Sequence, residues 1–232
     1  SIINPDDKNA LEEALRIKDK YEDVKVTVLS MGPYQAEAAL VEAIAMGADE
    51  GILLSDRAFA GSDTWATSTA LASGIRYIGD YDLIFCGRQA IDGDTAQVGP
   101  QIAEHLGIPQ ITYVKELKIE DGKVRAKRVL EDGYYVIEAE MPVLITAIKE
   151  LNTPRYPSIR GIYEGYKGDR IKILSAKDIN ADEENIGLDG SPTQVNKSFT
   201  PPTKSGNLEM LEGDAKEQAR KLIVRLKEEK II

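Results

Sequence analysis

The sequence contains very little of what histidine, cysteine or metal chemistry requires. Among its 232 residues there is one cysteine, Cys86, and one histidine, His105. A single cysteine excludes an internal disulfide and suits a reducing cytoplasm, and no histidines and cysteines have the spacing of metal ligands. We therefore expect no catalytic residue and no metal site. We interpret Cys86 as a packing residue and His105 as a structural or surface residue.

Long apolar runs and an excess of positive charge are also missing. No run is long enough to span a bilayer, and no signal-peptide pattern opens the chain. A net charge of −10 argues against binding to nucleic acid or to an anionic membrane surface. With 42% hydrophobic and 29% charged residues, the composition is that of a soluble globular protein. We expect a cytoplasmic protein of one domain, or of one domain with an appendage.

The most informative stretch joins a strand pattern to a helix pattern. Residues 83–86 form a short apolar run that predicts a buried strand, and the apolar residues after residue 97 recur at helical spacing. Asp94 or Thr95 is predicted to cap that helix. A loop at the carboxyl end of a parallel strand is where an open α/β sheet binds its ligand, and a helix start favours a phosphate. Gly93 would let the backbone approach that ligand closely, although an ordinary strand-to-helix connection also explains the pattern.

The letters of this loop, G-R-Q-A-I-D-G-D-T-A-Q-V-G-P (residues 87–100), carry a specific resemblance. They closely resemble the nucleotide-binding signature of the electron-transfer flavoprotein beta subunit, and the resemblance extends along the whole chain. It implies an α/β fold with an open, mostly parallel, doubly wound sheet of the adenine-nucleotide alpha-hydrolase-like type, a small antiparallel addition and an extended C-terminal arm. It also implies that the loop binds the phosphate of AMP or, in one branch of the family, the pyrophosphate of FAD. The residues expected to make these contacts are Gly87, Arg88, Gln89, Ala90, Ile91, Asp92, Gly93, Asp94, Thr95, Ala96, Gln97 and Val98.

The chain opens on a helix start. Asn4 is a good N-cap, Pro5 suits the first helical position, and Asp6 and Asp7 complement the helix dipole. A doubly wound sheet normally starts with a strand, as the family does, so we expect the recorded chain to lack that strand. The resemblance implies nucleotide contacts for Asn4, Pro5, Asp6 and Asp7, and it places Met31, in the S-M-G-P turn, against the adenosine. The alternative for Met31 is a flexible core residue.

A further helix start is predicted after the strand at residues 51–54. Gly61 breaks the loop, and Ser62 or Asp63 can cap the helix. The letters D-R-A-F-A-G-S-D-T resemble a segment of the electron-bifurcating branch of the family, which binds FAD in this subunit. The residues expected on the flavin side are Asp56, Arg57, Gly61, Ser62, Asp63, Thr64 and Thr67. The alternative is an ordinary capped helix with a solvated Asp56–Arg57 pair.

The second half of the chain indicates partner contacts. Residues 115–140 alternate around two turns and predict the antiparallel addition. The next segment contains two prolines, an arginine and a tyrosine, and Tyr and Arg often anchor interfaces. It resembles the recognition loop with which the family docks onto a dehydrogenase, which implies docking roles for Asn152, Pro154, Arg155 and Tyr156. A rigid surface loop is the alternative.

The C-terminal part differs in composition. From residue 180 to residue 212 the chain is acidic and rich in Gly, Pro and Ser, and residues 214–230 predict an amphipathic helix. We predict a nucleotide- or flavin-binding α/β domain at residues 1–179. Residues 180–232 are predicted to form an arm and helix that contact the alpha subunit.

Three functional hypotheses follow. The leading one is the beta subunit of a heterodimer that binds FAD and takes electrons from NADH for bifurcation. One electron would go to ferredoxin or flavodoxin, and the other would pass through the alpha-subunit FAD to an acyl-CoA or 2-hydroxy-acid dehydrogenase. The second is a non-bifurcating beta subunit with structural AMP. The third is an adenine-nucleotide sensor or ATP-cleaving enzyme, although the residues given contain no S-G-G-x-D-S loop.

Overall fold

The computed structural model describes residues 2–200 and 208–232, along which strands and helices alternate except for four consecutive strands in the middle. The helices are α1 (Pro5–Lys20), α2 (Glu37–Met46), α3 (Thr64–Ile78), α4 (Val98–Leu106), α5 (Ile159–Tyr166) and α6 (Ala215–Glu228). The strands are β1 (Thr27–Met31), β2 (Glu50–Leu54), β3 (Leu83–Gly87), β4 (Gln110–Glu120), β5 (Lys123–Leu130), β6 (Gly133–Glu140), β7 (Val143–Ala147) and β8 (Ile171–Leu174).

The strands form two hydrogen-bonded sheets. One has the order β1-β2-β8 and is parallel, and the other has the order β3-β7-β4-β5-β6. Strands β3, β7 and β4 are parallel, whereas β4, β5 and β6 are antiparallel. The mostly parallel α/β fold and its antiparallel addition are thus confirmed. The parallel strands form two sheets rather than one because, among the described residues, β1 bonds only to β2 and β3 bonds only to β7.

The antiparallel addition is a long hairpin with a bulge near its base. Asp121 and Gly122 both have positive φ, as a tight two-residue turn between β4 and β5 requires. Near the start of β4, the register shifts on both sides, between Ile111 and Val114 towards β7 and between Val114 and Glu116 towards β5. Tyr113, inside this bulge, has φ +56°. The bulge allows β4 to pair with a parallel and an antiparallel neighbour along its length.

The first compact unit extends to Gln194, and the second begins at Val195. The predicted boundary lies between residues 179 and 180. The acidic segment up to Gln194 joins the first unit because Ile186 is buried in a cluster with Ile52 and Phe59. The prediction depended on the polar local composition of this segment. The segment nevertheless packs on the first unit, because burying the Ile186 side chain is favourable.

Helix α5 packs on α2 through glycine. A Cβ at Gly161 would lie 2.2 Å from the carbonyl oxygen of Ala45, so only glycine permits this approach. The helix turns Ile159, Ile162 and Tyr163 outward, and all three are exposed. This helix was not predicted from the sequence, because its apolar residues are exposed and do not form a buried face.

Helix α6 belongs to the second unit. The Asp214 side chain caps it by accepting hydrogen bonds from the backbone N–H groups of Lys216 and Glu217, so the helix predicted for residues 214–230 is present. Leu222, Ile223 and several neighbouring side chains are exposed. Within the described ranges, none of the helices combines the length and the apolar character needed to cross a bilayer.

Candidate functional site

The start of α1 lies against the loop that follows β3. Asn4 is the N-cap residue and Pro5 the first helical residue, as predicted. The Asn4 side chain makes no capping hydrogen bond to the backbone of α1. Its amide donates to the carbonyl oxygen of Gln89 at 2.9 Å, and its Oδ1 accepts from the N–H of Ile91 at 3.2 Å. Asn4 therefore fixes the first turn of the loop after β3.

Asp7 and Gly87 join α1 to the end of β3. Asp7 Oδ1 accepts a hydrogen bond from the Gly87 N–H, and its Oδ2 accepts from the Asn4 amide at 2.8 Å. Burial raises the pKa of Asp7 above its ordinary value of 3.8, although both hydrogen bonds oppose this shift. A Cβ at Gly87 would lie 2.6 Å from the backbone nitrogen of Asp7 and 2.8 Å from the carbonyl carbon of Asp6. Two backbone segments therefore meet here without room for a side chain.

The loop between Gly87 and α4 does not become helical where predicted. Asp94 and Ala96 both have positive φ, and the Asp94 carboxylate accepts a hydrogen bond from the Gln89 amide. The predicted cap at Asp94 or Thr95 is wrong, because the N-cap residue is Gln97. Within the described residues no side chain caps α4. Pro100 has no N–H, so the first-turn N–H groups left without a side-chain partner are those of half-buried Val98 and buried Gly99.

The same loop is open on one side. Residues 90–95 are all exposed. A Cβ at Gly93 would meet no described atom within 4 Å. No contact with the described residues therefore requires glycine at position 93. The predicted reason for this glycine is that a ligand approaches the backbone closely.

The start of α3 is held by the chain's own residues. Asp63 caps the helix by accepting from the N–H of Ala66 at 3.0 Å, as predicted. Its second oxygen accepts from the N–H of Thr193 at 2.9 Å. The Ser62 hydroxyl donates to the Phe59 carbonyl at 2.8 Å and accepts from the Gly187 N–H at 3.0 Å. Residues 187–193 thus form hydrogen bonds with polar atoms that are predicted to face the flavin.

Asp56 has a comparable structural role. Its carboxylate accepts hydrogen bonds from the N–H groups of Ala58 and Ala176, each at 3.1 Å. These backbone donors lower the pKa of Asp56 below its ordinary value. Asp56 and Arg57 are both exposed, as the alternative expects, although no ion pair joins them within the described residues. Arg57 is exposed beside this turn.

The three predicted turns lie along one edge of the fold. Thr64 Oγ1 donates to Gln97 Oε1 at 3.2 Å, which joins the start of α3 to the start of α4. Met31 ends β1 opposite Leu54 of β2 and packs against the cluster that contains Phe59. Met31 is half-buried, so the alternative role as a core residue describes its packing. Thr67 lies one turn into α3 and is also half-buried.

His105 and Cys86 have structural roles. The His105 ring lies 4.7 Å from the Trp65 ring between centroids, and its Nε2 is 3.2 Å from the hydroxyls of both Ser68 and Thr69. Burial lowers the pKa of His105, so the neutral ring packs α4 against α3. Burial raises the pKa of the Cys86 thiol, whose Sγ donates to the Ile145 carbonyl at 3.8 Å. Both residues match their structural interpretation.

The predicted docking segment is fixed to α1. The Arg155 guanidinium donates to both Glu12 oxygens, at 2.9 and 3.1 Å, and to Asp19 at 2.7 Å. Burial alone would raise the pKa of Glu12, but the hydrogen bonds from Arg155 lower it below the ordinary value. Asn152 donates to the Asn9 carbonyl at 2.9 Å. Arg155 and Asn152 therefore hold the segment, and their side chains are not free anchors.

The exposed part of this segment is apolar. Tyr156 is 94% exposed and Ile159, at the start of α5, is 90% exposed. Pro154, in the same segment, is half-buried. The sequence analysis missed Ile159, although an isoleucine directly after a proline-rich surface segment was a usable signal. Two large exposed side chains on a rigid support are suited to contact a partner.

Comparisons with known proteins agree with these features. The profile described as "Electron transfer flavoprotein domain" matches residues 1–177. The chain is 59% identical to the electron transfer flavoprotein subunit beta of Thermoanaerobacterium thermosaccharolyticum, over all of this chain and 88% of that protein. It is 54% identical to the caffeyl-CoA reductase-Etf complex subunit CarD of Acetobacterium woodii, and 50% identical to the acryloyl-CoA reductase electron transfer subunit gamma of Anaerotignum propionicum. Each of these matches covers all of this chain and 88% of the relative.

Proposed function

This chain belongs to the electron-transfer flavoprotein family, among its beta subunits, and from that membership we propose that it binds FAD, takes electrons from NADH and bifurcates them. The cofactor would lie along the edge formed by the loop at residues 87–98 and the starts of α3 and α4. When bound, the flavin supplies the redox chemistry, and the chain's own residues bind and orient it.

The observation that carries this proposal is the uncapped start of α4. Its free N–H groups and the positive end of the helix dipole suit a phosphate or pyrophosphate. Asn4 and Asp7 hold the preceding loop in place before any ligand arrives, which reduces the ordering cost of binding. The open space at Gly93 leaves room for the ligand to approach the backbone.

The neighbouring start of α3 supports FAD over a smaller nucleotide. The Thr64–Gln97 hydrogen bond joins the start of α3 to the start of α4. The polar edge that the two helix starts form is therefore longer than the binding of a single phosphate requires. Arg57 and Thr67 stand beside it. The printed names of two relatives refer to electron transfer in reductase complexes for caffeyl-CoA and acryloyl-CoA. These names support an acyl-CoA dehydrogenase as the partner. Our proposal also includes a 2-hydroxy-acid dehydrogenase as the alternative partner, and ferredoxin or flavodoxin as the second acceptor.

Two exposed apolar surfaces suit the protein partners. Tyr156 and Ile159 would contact the dehydrogenase, because α1 holds their segment rigidly. The apolar residues of α6 would contact an alpha subunit that carries its own FAD. We also propose a cytoplasmic location for this chain.

A second candidate function is that of a non-bifurcating subunit with structural AMP. It is favoured by one observation: Asp56, Ser62 and Asp63 already bond to residues 176–193. Fewer polar atoms are then left for a flavin than the sequence suggests. A single phosphate at the start of α4 would satisfy the remaining donors.

The nucleotide content of the heterodimer separates these candidates. The chain is purified with its alpha subunit, and the nucleotides released by heating are identified and counted. We expect two FAD for each heterodimer and anaerobic bleaching of flavin absorbance by NADH. One FAD with one AMP, and no bleaching, would contradict bifurcation and support the AMP-binding alternative. The absence of any nucleotide beyond the alpha-subunit FAD would contradict both.

A further inference from the structure

A second polar cleft lies on the other side of the start of α4, beside the bulge in β4. Its volume is about 430 Å³. The residues that line it are Arg88, Ala96, Pro100, Gln110, Thr112, Tyr113, Arg128 and Thr146. Only Arg88 and Ala96 belong to the loop at residues 87–98. The proposed nucleotide function therefore leaves most of this cleft unexplained.

The two arginines of the cleft have donors without acceptors. Within the described residues, the buried Nε atoms of Arg88 and Arg128 have no hydrogen-bond partner. Arg88 Nε lies 3.4 Å from an Asp6 oxygen, but this ion pair lacks hydrogen-bond geometry. Buried polar groups are normally paired, so two unpaired guanidinium donors in one cleft call for an acceptor. Arg128 is also placed over the Tyr113 ring, with its central carbon 5.8 Å from the ring centroid.

Two threonines provide further donors. Thr146 is 2% exposed, and its Oγ1 accepts a hydrogen bond from the Tyr113 N–H at 3.0 Å. The Thr146 hydroxyl proton can therefore be donated into the cleft. Thr112 is 8% exposed, and its hydroxyl has no hydrogen bond within the part of the chain that the structure describes. Both hydroxyls lie on strands that also shape the cleft.

The backbone at this point is strained. Tyr113 adopts φ +56°, which is unfavourable for a bulky residue, and the bulge interrupts pairing with both neighbouring strands. Such strain persists only where the surrounding structure holds it, and it is concentrated at ligand sites. Here the bulge displaces Thr112 and Tyr113 from regular pairing and leaves them at the cleft.

The charge of the cleft contrasts with that of the chain. The chain has a net charge of −10, yet the lining includes two arginines and neither aspartate nor glutamate. We propose that this cleft binds a phosphoryl group, with Arg128, Thr112 and Thr146 as its ligands and Arg88 shared with the neighbouring loop. Guanidinium groups match the geometry of phosphoryl oxygens, and hydroxyl donors complete the set.

Pyrophosphate binding to the full chain tests this proposal. Calorimetry and ³¹P NMR are used to compare the unmodified chain with Arg128→Met, which keeps the side-chain stem. The control is Arg125→Met, an exposed arginine on the same strand that does not line the cleft. In addition to any binding at the start of α4, we expect a saturable cleft site in the unmodified chain, whose affinity falls about tenfold or more in Arg128→Met and less than about twofold in Arg125→Met. Thr112→Val, expected to weaken binding by a smaller factor, serves if Arg128→Met is poorly folded by circular dichroism.

Equal affinities for Arg128→Met and the unmodified chain, or equal losses in both arginine variants, would overturn the proposal. So would the absence of any saturable pyrophosphate site. Repeating the titration on the FAD-loaded heterodimer identifies the source of the phosphoryl group. Retained binding would show a separate site for free phosphate or pyrophosphate, and loss of binding only after loading would show that the cofactor supplies the group.

Discussion

Gly87→Ala is the most direct perturbation of the junction between α1 and the loop after β3. The added methyl group would lie 2.6 Å from the Asp7 nitrogen and 2.8 Å from the Asp6 carbonyl carbon. Both neighbours are backbone atoms, so no change of rotamer can relieve the contact. The start of α1 has to move, or the end of β3 has to bend.

The expected loss of stability has two parts. Overpacking a well-filled site costs about 1–3 kcal/mol. If α1 moves, the Gly87 N–H also loses its Asp7 acceptor, and an unpaired buried amide costs about 1–3 kcal/mol more. The free energy of unfolding should therefore fall by roughly 2–6 kcal/mol, which is a large share of the usual total.

Urea unfolding measures this loss. The single tryptophan, Trp65, and far-ultraviolet circular dichroism give two signals. With a slope of about 2–3 kcal/mol per molar urea, the midpoint should fall by roughly 0.7–3 M. Gly93→Ala is the matched control, because its Cβ would meet no described atom, and its midpoint should move by no more than about 0.2 M. If both variants unfold at the same urea concentration, the backbone contact at Gly87 does not limit the fold.

Four further outcomes are expected. Gly93→Ala should keep its stability yet retain less FAD through gel filtration of the heterodimer; full retention would show that the ligand does not approach this backbone. Burial holds the pKa of His105 below its ordinary 6.5, so near that pH the unfolded chain binds more protons than the folded chain. The free energy of unfolding should therefore decline as the pH falls below about 6.5, and His105→Gln should remove that part of the decline. Cys86 should react with a thiol reagent only after urea is added, because burial raises its pKa; rapid native reaction would contradict the observed packing. Arg155→Met should destabilise the chain by about 1–3 kcal/mol, since buried Glu12 loses the guanidinium hydrogen bonds and keeps only Arg16 and the backbone N–H of residue 155. Tyr156→Ala should leave stability unchanged and slow electron transfer to the dehydrogenase. Equal melting temperatures for these last two variants would refute that division of roles.

Local signals in the sequence were reliable where neighbouring residues decide the structure. Asn4, Pro5 and Asp63 stand at the helix starts where their side chains and backbone preferences place them. The turn at Asp121–Gly122 likewise follows from two residues that tolerate positive φ. The order of strands and helices in the first half of the chain could be predicted for the same reason.

Long-range contacts account for what could not be predicted. Arg155 has the composition of an interface anchor, but it binds Glu12, which lies far away in the sequence. Ser62 and Asp63, which are predicted to face a ligand, also bond to residues 187–193, far along the sequence. No local pattern reveals either pairing.

The loop between β3 and α4 shows a different limit of prediction from the sequence. Asp94 is a good capping residue by type, but positive φ at Asp94 and Ala96 delays the helix to Val98. The side chain then bonds to Gln89. Propensity therefore predicted a side-chain cap that the helix does not have, because the loop conformation moves the helix start to Gln97 and Val98.

Helix α1 is bound to the rest of the molecule near both ends of its roughly 24 Å length. Asp7, in its first turn, secures the loop after β3, and Glu12 and Asp19, further along, secure Arg155. A helix is stiff over this distance. Helix α1 therefore determines both the position of Tyr156 and the shape of the loop at residues 87–98. A force applied to the exposed tyrosine therefore reaches that loop unless one of these hydrogen bonds breaks first.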